Sequence, residues 1–255
     1  LIFVEDPGAA NCVMGLPDTL LTLGVHASIY ARGSSIEYMK SKGACIIETP
    51  EDFGATDLLE KTLPKLILIG TSENQNTLGL QLMAPAKERN IPTIGIIDGP
   101  ANARLRFKGH GSSPLQFSPD MLILPTERLK DAFADMGYDT EHIFVGGHPH
   151  YDEVKAARFN LHAEGRLEVR KRVLPDAPDN VPVVIFAAEI SDGLDPSQFR
   201  RSNDYTLQGH GQSELRTNVV LDELIDCLNT QSPRPYLVLR LLPNNTLEEF
   251  SSYLS

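Results

Sequence analysis

The sequence predicts an α/β protein built of doubly wound parallel sheets in two units, Rossmann-like in plan, with the second unit truncated. Three observations carry this. Near-continuous apolar strands alternate with amphipathic helices along the chain, the pattern of a parallel sheet covered on both faces. Between Leu66 and Phe107 the alternation forms a complete strand-helix-strand crossover. Leu66 to Ile69 runs into Gly70-Thr71-Ser72, a helical stretch covers Thr77 to Arg89, and Thr93 to Ile97 ends on Asp98. Finally, 255 residues exceed the usual size of one domain, and a Pro/Asp-rich stretch, Leu174 to Pro182, precedes a fresh strand.

Leu1 to Val4 is the first strand and Asp6-Pro7-Gly8 its turn. Ala9 to Leu23 reads as a helix that Pro17 kinks or splits. His26 to Tyr30 is a strand, Ser35 to Lys42 a helix closed by Gly43, Ala44 to Ile47 a strand and Thr56 to Leu63 a short helix. After the crossover, Gly109 to Pro119 is a Gly/Ser/Pro-rich loop. Met121 to Leu124 is a strand, Glu127 to Met136 a helix ending at Gly137, and Ile143 to Val145 a strand entering Gly146-Gly147-His148-Pro149. The first unit spans 1–154. A charged helix, Asn160 to Val173, and the linker occupy 155–182. The second unit, 183–255, holds strand Val183 to Ala187, a polar segment Ser191 to Gly211, helix Arg216 to Leu228, strand Tyr236 to Leu241 and a further helical stretch, Thr246 to Leu254. A parallel sheet of so few strands is too small to stand alone, hence the reading of this unit as partial.

Composition narrows the functions. A formal net charge of -11 argues against a nucleic-acid partner, since phosphate contacts require a basic face. It leaves room for a small anion held by one or two arginines and backbone amides. Apolar runs are strand-sized, so no transmembrane segment is expected. The cysteines (Cys12, Cys45, Cys227) are far apart and odd in number, suggesting neither a zinc set nor a disulfide framework and fitting a reducing cytoplasm. Leu1 to Val4 is too short for a signal peptide, and a start on a strand without methionine suggests missing residues in front.

In open parallel sheets ligands sit beyond the carboxyl ends of the strands, which selects the candidate site. Asp98 at such an end suits a general base, or a cap of its own turn. Arg104 and Arg106 suit a bidentate clamp on a carboxylate or phosphate, or plain salt bridges. Asp6, Gly8 and Asn11 surround a helix start that could face an anion, although Gly8 also serves a sharp turn. No dinucleotide fingerprint is present there. Thr71 and Ser72 bind ligand or cap the next helix. His148 and His150 lack a third metal ligand nearby, so no metal is expected; His148 lines the cleft, and Asp152 caps the helix that follows. In the second unit Glu189, Ser191 and Gly193 follow a strand as a phosphate-facing loop would, and Arg200 and Arg201 could reach a diphosphate. Arg240, inside an apolar strand, requires a carboxylate or anionic partner if buried.

Three local patterns resemble the GT-B superfamily of glycosyltransferases and non-hydrolysing nucleotide-sugar 2-epimerases, in particular its polysaccharide-biosynthesis, glycerophosphotransferase-like branch. They are Ile97-Asp98 with Asn102, Arg106 and Phe107; Leu124-Pro125-Thr126-Glu127 through Gly137-Tyr138 to Val145-Gly146-Gly147-His148-Pro149 and Asp152; and Leu239-Arg240-Leu241-Leu242-Pro243-Asn244. The family's histidines after Asp98 and before Pro243 are here Gly99 and Leu242. The resemblance implies an acceptor bound by the first domain and a nucleotide donor by the second. No cofactor is implied: a nucleotide sugar or CDP-polyol is the substrate, a glycan or polyol the acceptor, and a homodimer is compatible with the plan. In the transferase version Asp98 or His148 deprotonates the acceptor while arginine and helix amides stabilise the leaving diphosphate. An epimerase version would share the cleft but eliminate and re-add the nucleotide. A non-catalytic scaffold is the third version, in keeping with the absent histidines.

Overall fold

The computed structural model describes residues 1–189, 200–201, 203, 205–242 and 245–253. They divide into two compact units, Leu1–Arg158 and Phe159–Ser255. The strands of the first are β1 (Ile2–Val4), β2 (Ile29–Ala31), β3 (Ile47–Glu48), β4 (Ile67–Gly70), β5 (Thr93–Ile96), β6 (Met121–Leu124) and β7 (Ile143–Val145). They form one seven-stranded sheet in the order β3-β2-β1-β4-β5-β6-β7, parallel throughout. The helices between them are α1 (Pro7–Val13), α2 (Leu16–Thr22), α3 (Ser34–Ser41), α4 (Ala55–Thr62), α5 (Leu78–Gln81), α6 (Met83–Glu88) and α7 (Glu127–Asp135). The α/β class read from the alternation is the class observed.

Successive strand residues serve opposite faces, and both faces are buried. Ile2 and Val4 pack with Ile29, Ala31 and Leu68 under Ala9, Ala10 and Val13 of α1. Phe3, Ile67 and Ile69 face the other way, against Leu78, Leu82, Leu122 and Phe107. This period of two explains why the strands read as unbroken apolar runs. Burying each such side chain contributes about 1.5–3 kcal/mol. Gly70 is required where α1 crosses β4, because a Cβ there would lie 2.5 Å from the Ala9 Cβ and 2.9 Å from a Val4 methyl.

Pro17 does split its helix, but the break falls before it. α1 ends at Val13, α2 begins at Leu16, and Pro17 sits in the first turn of α2, where its missing N–H costs nothing. The helix expected over Thr77 to Arg89 is likewise two short pieces, with Pro85 in the first turn of α6. β3 shrinks to Ile47–Glu48 against the Ala44 to Ile47 expected. The charged helix begins earlier than expected, as α8 (His150–Glu164), and Gly165 at φ 94° separates it from α9 (Arg166–Val173).

In the second unit β8 (Val183–Ala187) and β9 (Tyr236–Arg240) pair in parallel. Helix α10 (Arg216–Asn229) contributes Leu221 to a small core with Ala188 and Phe250, against which Phe186, Ile225, Leu237 and Leu239 pack. The last helical stretch is a 3-10 turn, Glu248–Tyr253. Among the described residues no helix is long and apolar enough to cross a membrane.

Candidate functional site

The chain winds from β1 outward to β3, crosses back to β4, and winds the other way to β7. The order therefore reverses between β1 and β4, and the crevice at such a reversal is where open sheets bind ligands. The carboxyl ends of these strands carry Glu5-Asp6 and Thr71-Ser72. A polar cavity of about 470 Å³ opens there, lined by Glu5, Asp6, Arg32, Ser72, Asn74 and Gln81 among others. Glu5 builds its floor: the Leu78 and Gly79 amides at the start of α5 donate to its carboxylate at 3.2 and 3.1 Å. Burial pushes the Glu5 carboxyl above its ordinary range, opposed by those two hydrogen bonds. Arg32 closes one wall by donating to the Glu51 carboxylate at 2.8 and 3.0 Å and to the Phe53 carbonyl at 3.3 Å.

A second cluster lies at the carboxyl end of β5. Asp98 accepts from Arg106 Nη1 at 2.8 Å, and Arg106 Nη2 stands 3.4 Å from Glu73. Asn102 Nδ2 donates to Glu73 at 2.7 Å. Cys12, buried on α1, places its sulfur 3.5 Å from Nε2 and 3.9 Å from Nδ1 of His148. Burial holds the His148 imidazole below its ordinary pKa, opposed by the nearby Asp98. The Cys12 thiol is pushed up to about 12 by burial and by Asp98, so it stays protonated and is no nucleophile at neutral pH. Asp98 thus stands between a guanidinium and a histidine.

The structure sorts the residues read from the sequence. It brings Asp98, His148, Gly8, Asn102 and Arg106 together, and puts Asp6 and Ser72 on the cavity wall. Arg106, which follows the 3-10 turn Ala103–Leu105, is not a free clamp: it is 5% exposed and committed to Asp98 and Glu73. Arg104, two positions earlier, is the exposed guanidinium, with no side-chain partner among the described residues. Thr71 is buried with its hydroxyl on the Ile96 carbonyl at 3.0 Å, so it ties β4 to β5. Asn11 accepts from the Tyr38 hydroxyl at 2.8 Å, tying α1 to α3. Asp152 falls inside the first turn of α8 and pairs with Lys155 at 3.4 Å; it is not the cap. His150 lies 6.2 Å from His148, ring to ring, and turns to Glu153 at 3.0 Å. Among the described residues no group of three potential ligands could hold a metal.

In the second unit Arg240 is exposed at the last position of β9, so burial imposes no partner on it. Glu189 is exposed and its carbonyl accepts from Asn245 Nδ2 at 3.1 Å. Arg201 pairs with Glu214 at 2.8 Å. Ser191, Gly193, Pro243 and Asn244 lie outside the described residues. Sequence reasoning passed over Glu5, Glu73 and Cys12. Glu5 carried the same signal as Asp98, an acid directly after an apolar strand, whereas nothing in the spacing of Cys12 points to His148.

A seven-stranded parallel sheet with helices on both faces, followed by a second parallel β/α unit, is the GT-B-like fold. Solved structures with the same course include UDP-GlcNAc 2-epimerase from Neisseria meningitidis bound to UDP-GlcNAc, at 14% identity and a TM-score of 0.65 over 95% of this chain and 66% of that one. S. aureus MnaA with UDP matches at 10% identity and a TM-score of 0.64, over 99% of this chain and 65% of that one. UDP-GlcNAc 2-epimerase from Methanocaldococcus jannaschii, in complex with UDP-GlcNAc and UDP, matches at 12% identity and 0.59, over 99% and 68%. The chain spans just under two-thirds of the length of the first two. At such identities the likeness establishes the fold alone. No family model and no curated protein matches the sequence.

Proposed function

We propose that the protein acts on a nucleotide-activated sugar in the manner of a nucleotide-sugar 2-epimerase. The observation that carries this reading is the apposition of Asp98 and His148 at the carboxyl edge of the sheet, on a chain that follows UDP-GlcNAc 2-epimerase structures over 95% or more of its own length and about two-thirds of theirs. Inverting carbon 2 requires its hydrogen to leave one face of the sugar and return on the other. When the C2 proton goes to a base and the C1–O bond to the diphosphate breaks, the C–H electrons form a C1=C2 double bond and the free nucleotide departs. Re-addition of nucleotide and proton completes the inversion. The chemistry needs proton-handling groups, for which Asp98 and His148 stand ready, and positive charge near the diphosphate, which Arg104 supplies as the exposed arginine of this loop.

Transfer to a glycan or polyol hydroxyl is the second reading. It is favoured by the fact that one strand-end carboxylate suffices to deprotonate a hydroxyl. Proton NMR of the full chain with UDP-GlcNAc in D₂O separates the two. Epimerase chemistry replaces the C2 hydrogen by deuterium and yields the C2 epimer with some free UDP. Release of UDP only after a glycan or polyol is added supports transfer instead. Absence of calorimetric binding to UDP, UDP-GlcNAc and CDP-glycerol alike would overturn both and leave a scaffold.

A further inference from the structure

The polar cavity where the sheet order reverses has walls whose chemistry selects a class of ligand. Its volume, about 470 Å³, lies within the roughly 300–1,000 Å³ of small-molecule sites. Arg32, the one cation lining it among the described residues, is already engaged. It donates to the Glu51 carboxylate at 2.8 and 3.0 Å and to the Glu51 and Phe53 carbonyls at 2.6 and 3.3 Å. The Leu78 and Gly79 amides at the start of α5 are taken by the protein's own Glu5 at 3.2 and 3.1 Å. Asp6 and Asp52 add two further carboxylates to the lining. A phosphate entering here would meet like charge and find no uncommitted cation.

What the walls do offer is hydrogen bonding to an uncharged molecule. The Asp6 carboxylate makes no capping hydrogen bond to its own helix, and Asp52 is exposed. Asn74 accepts the Asn76 amide through its side-chain oxygen at 3.0 Å, which leaves its NH₂ group as a donor. Ser72 Oγ accepts the Asn74 amide at 3.0 Å, which leaves the hydroxyl proton. The exposed Gln81 carboxamide brings both a donor and an acceptor. Phe53 adds an aromatic ring on which an apolar C–H face can pack. A hydroxyl gives one hydrogen bond and takes others, so it can join a carboxylate to an amide, and its bond to a carboxylate is the strong, charge-assisted kind.

We propose that this cavity holds an uncharged, hydroxyl-rich ligand, a sugar ring or short polyol, and turns phosphorylated groups away. The proposal goes beyond the epimerase reading: it requires neither nucleotide nor turnover, and it places a diphosphate outside this cavity.

The test records ¹H–¹⁵N spectra of the full chain during titration with N-acetylglucosamine and, separately, with its 1-phosphate. The neutral sugar, taken to roughly 50 mM and so far above a millimolar Kd, should shift the Gly33, Ser72 and Asn74 amides saturably. The 1-phosphate should bind there at least roughly tenfold more weakly. Asp52→Ala with Gln81→Ala, both at exposed positions, should weaken the sugar about tenfold through two lost hydrogen bonds. Glu51→Gln releases Arg32 and should narrow the gap between sugar and sugar phosphate. Amides that the neutral sugar never moves, a 1-phosphate that binds as tightly as the sugar, or a gap untouched by Glu51→Gln would overturn the proposal. Adding UDP-GlcNAc identifies the source of the ligand. Displacement of the sugar means that the cavity holds the sugar end of the nucleotide, and retention means a separate glycan or polyol; both uphold the site. Loss of the epimerase reading in the D₂O experiment would leave these shifts unchanged.

Discussion

The Asp98 carboxylate occupies the space where a side chain at Gly8 would begin: a Cβ built there falls 2.0 Å from Asp98 Oδ2 and 3.2 Å from its carboxyl carbon. Asp98 cannot swing aside cheaply, because Arg106 holds its other oxygen at 2.8 Å. Gly8→Ala should therefore push the carboxylate off Arg106, costing about 1–3 kcal/mol as overpacking does. Turnover should fall even well below the melting temperature. A melt and a rate indistinguishable from the unaltered protein would show that Asp98 relocates freely.

Asp98→Asn removes the proton acceptor and also half of an ion pair. Arg106 is buried, yet Glu73 remains 3.4 Å away, so the loss of stability should be about 2 kcal/mol, short of the 3–5 kcal/mol for a fully buried charge left alone. Measured at a temperature where the variant is fully folded, turnover should drop roughly 10²- to 10⁴-fold if Asp98 is the base. Retained turnover would leave Asp98 as an anchor for Arg106 and move attention to His148.

Glu5 offers a pH signature. Its folded carboxyl is raised by burial, so the native state holds the proton more tightly than the unfolded chain. The sign is then fixed: this group's contribution is fully present below about pH 4.5 and is lost as pH rises through the folded value. Glu5→Gln should flatten that part of the stability–pH curve, while its single carbonyl leaves one of the Leu78 and Gly79 amides unserved. Urea midpoints recorded from pH 4 to pH 8 check this, and an unchanged slope would refute it.

His210 works in the same sense at higher pH. Its imidazole bridges Asp222 at 3.4 Å and Asp226 at 3.0 Å, carboxylates one turn apart on α10, and its backbone amide donates to Asp222 at 2.8 Å. The hydrogen bond to Asp226 leads the influences that raise its pKa. The stabilisation is present below about pH 6.5 and fades as pH rises through the folded value. NMR should place the His210 midpoint above 6.5, and Asp226→Asn should bring it down. A midpoint at or below 6.5 would mean that the bridge does not form in solution.

Several of these relationships were visible in the residues and others were not. The strands Met121–Leu124 and Val183–Ala187 match the reading because each is an apolar run bounded by turn formers, with no competing period. Pro17 announced a broken helix but not the position of the break, since proline is at home in a first turn. Asp98 was legible by one rule, a carboxylate at a strand end. The contact of Cys12 with His148 was not, for it joins residues on different elements that only the winding of the sheet brings together. Arg104 and Arg106 look alike in sequence, yet Arg104, within the 3-10 turn, is exposed and Arg106, just after it, is buried in the Asp98 cluster.

That difference gives the last prediction. Arg106→Ala strips Asp98 and Glu73 of their shared cation and opens a void beneath the loop, so it should cost about 3–5 kcal/mol and lower the melting temperature of the first unit. Any loss of ligand binding would follow from that damage. Arg104→Ala touches no packed neighbour and should leave stability within about 0.5 kcal/mol. If Arg104 meets the diphosphate, a charged hydrogen bond of about 1.5–3 kcal/mol disappears, which is roughly a 10- to 150-fold weaker Kd for UDP-GlcNAc by calorimetry. Unchanged affinity in Arg104→Ala would remove this arginine from the site and require the diphosphate's positive partner to come from elsewhere.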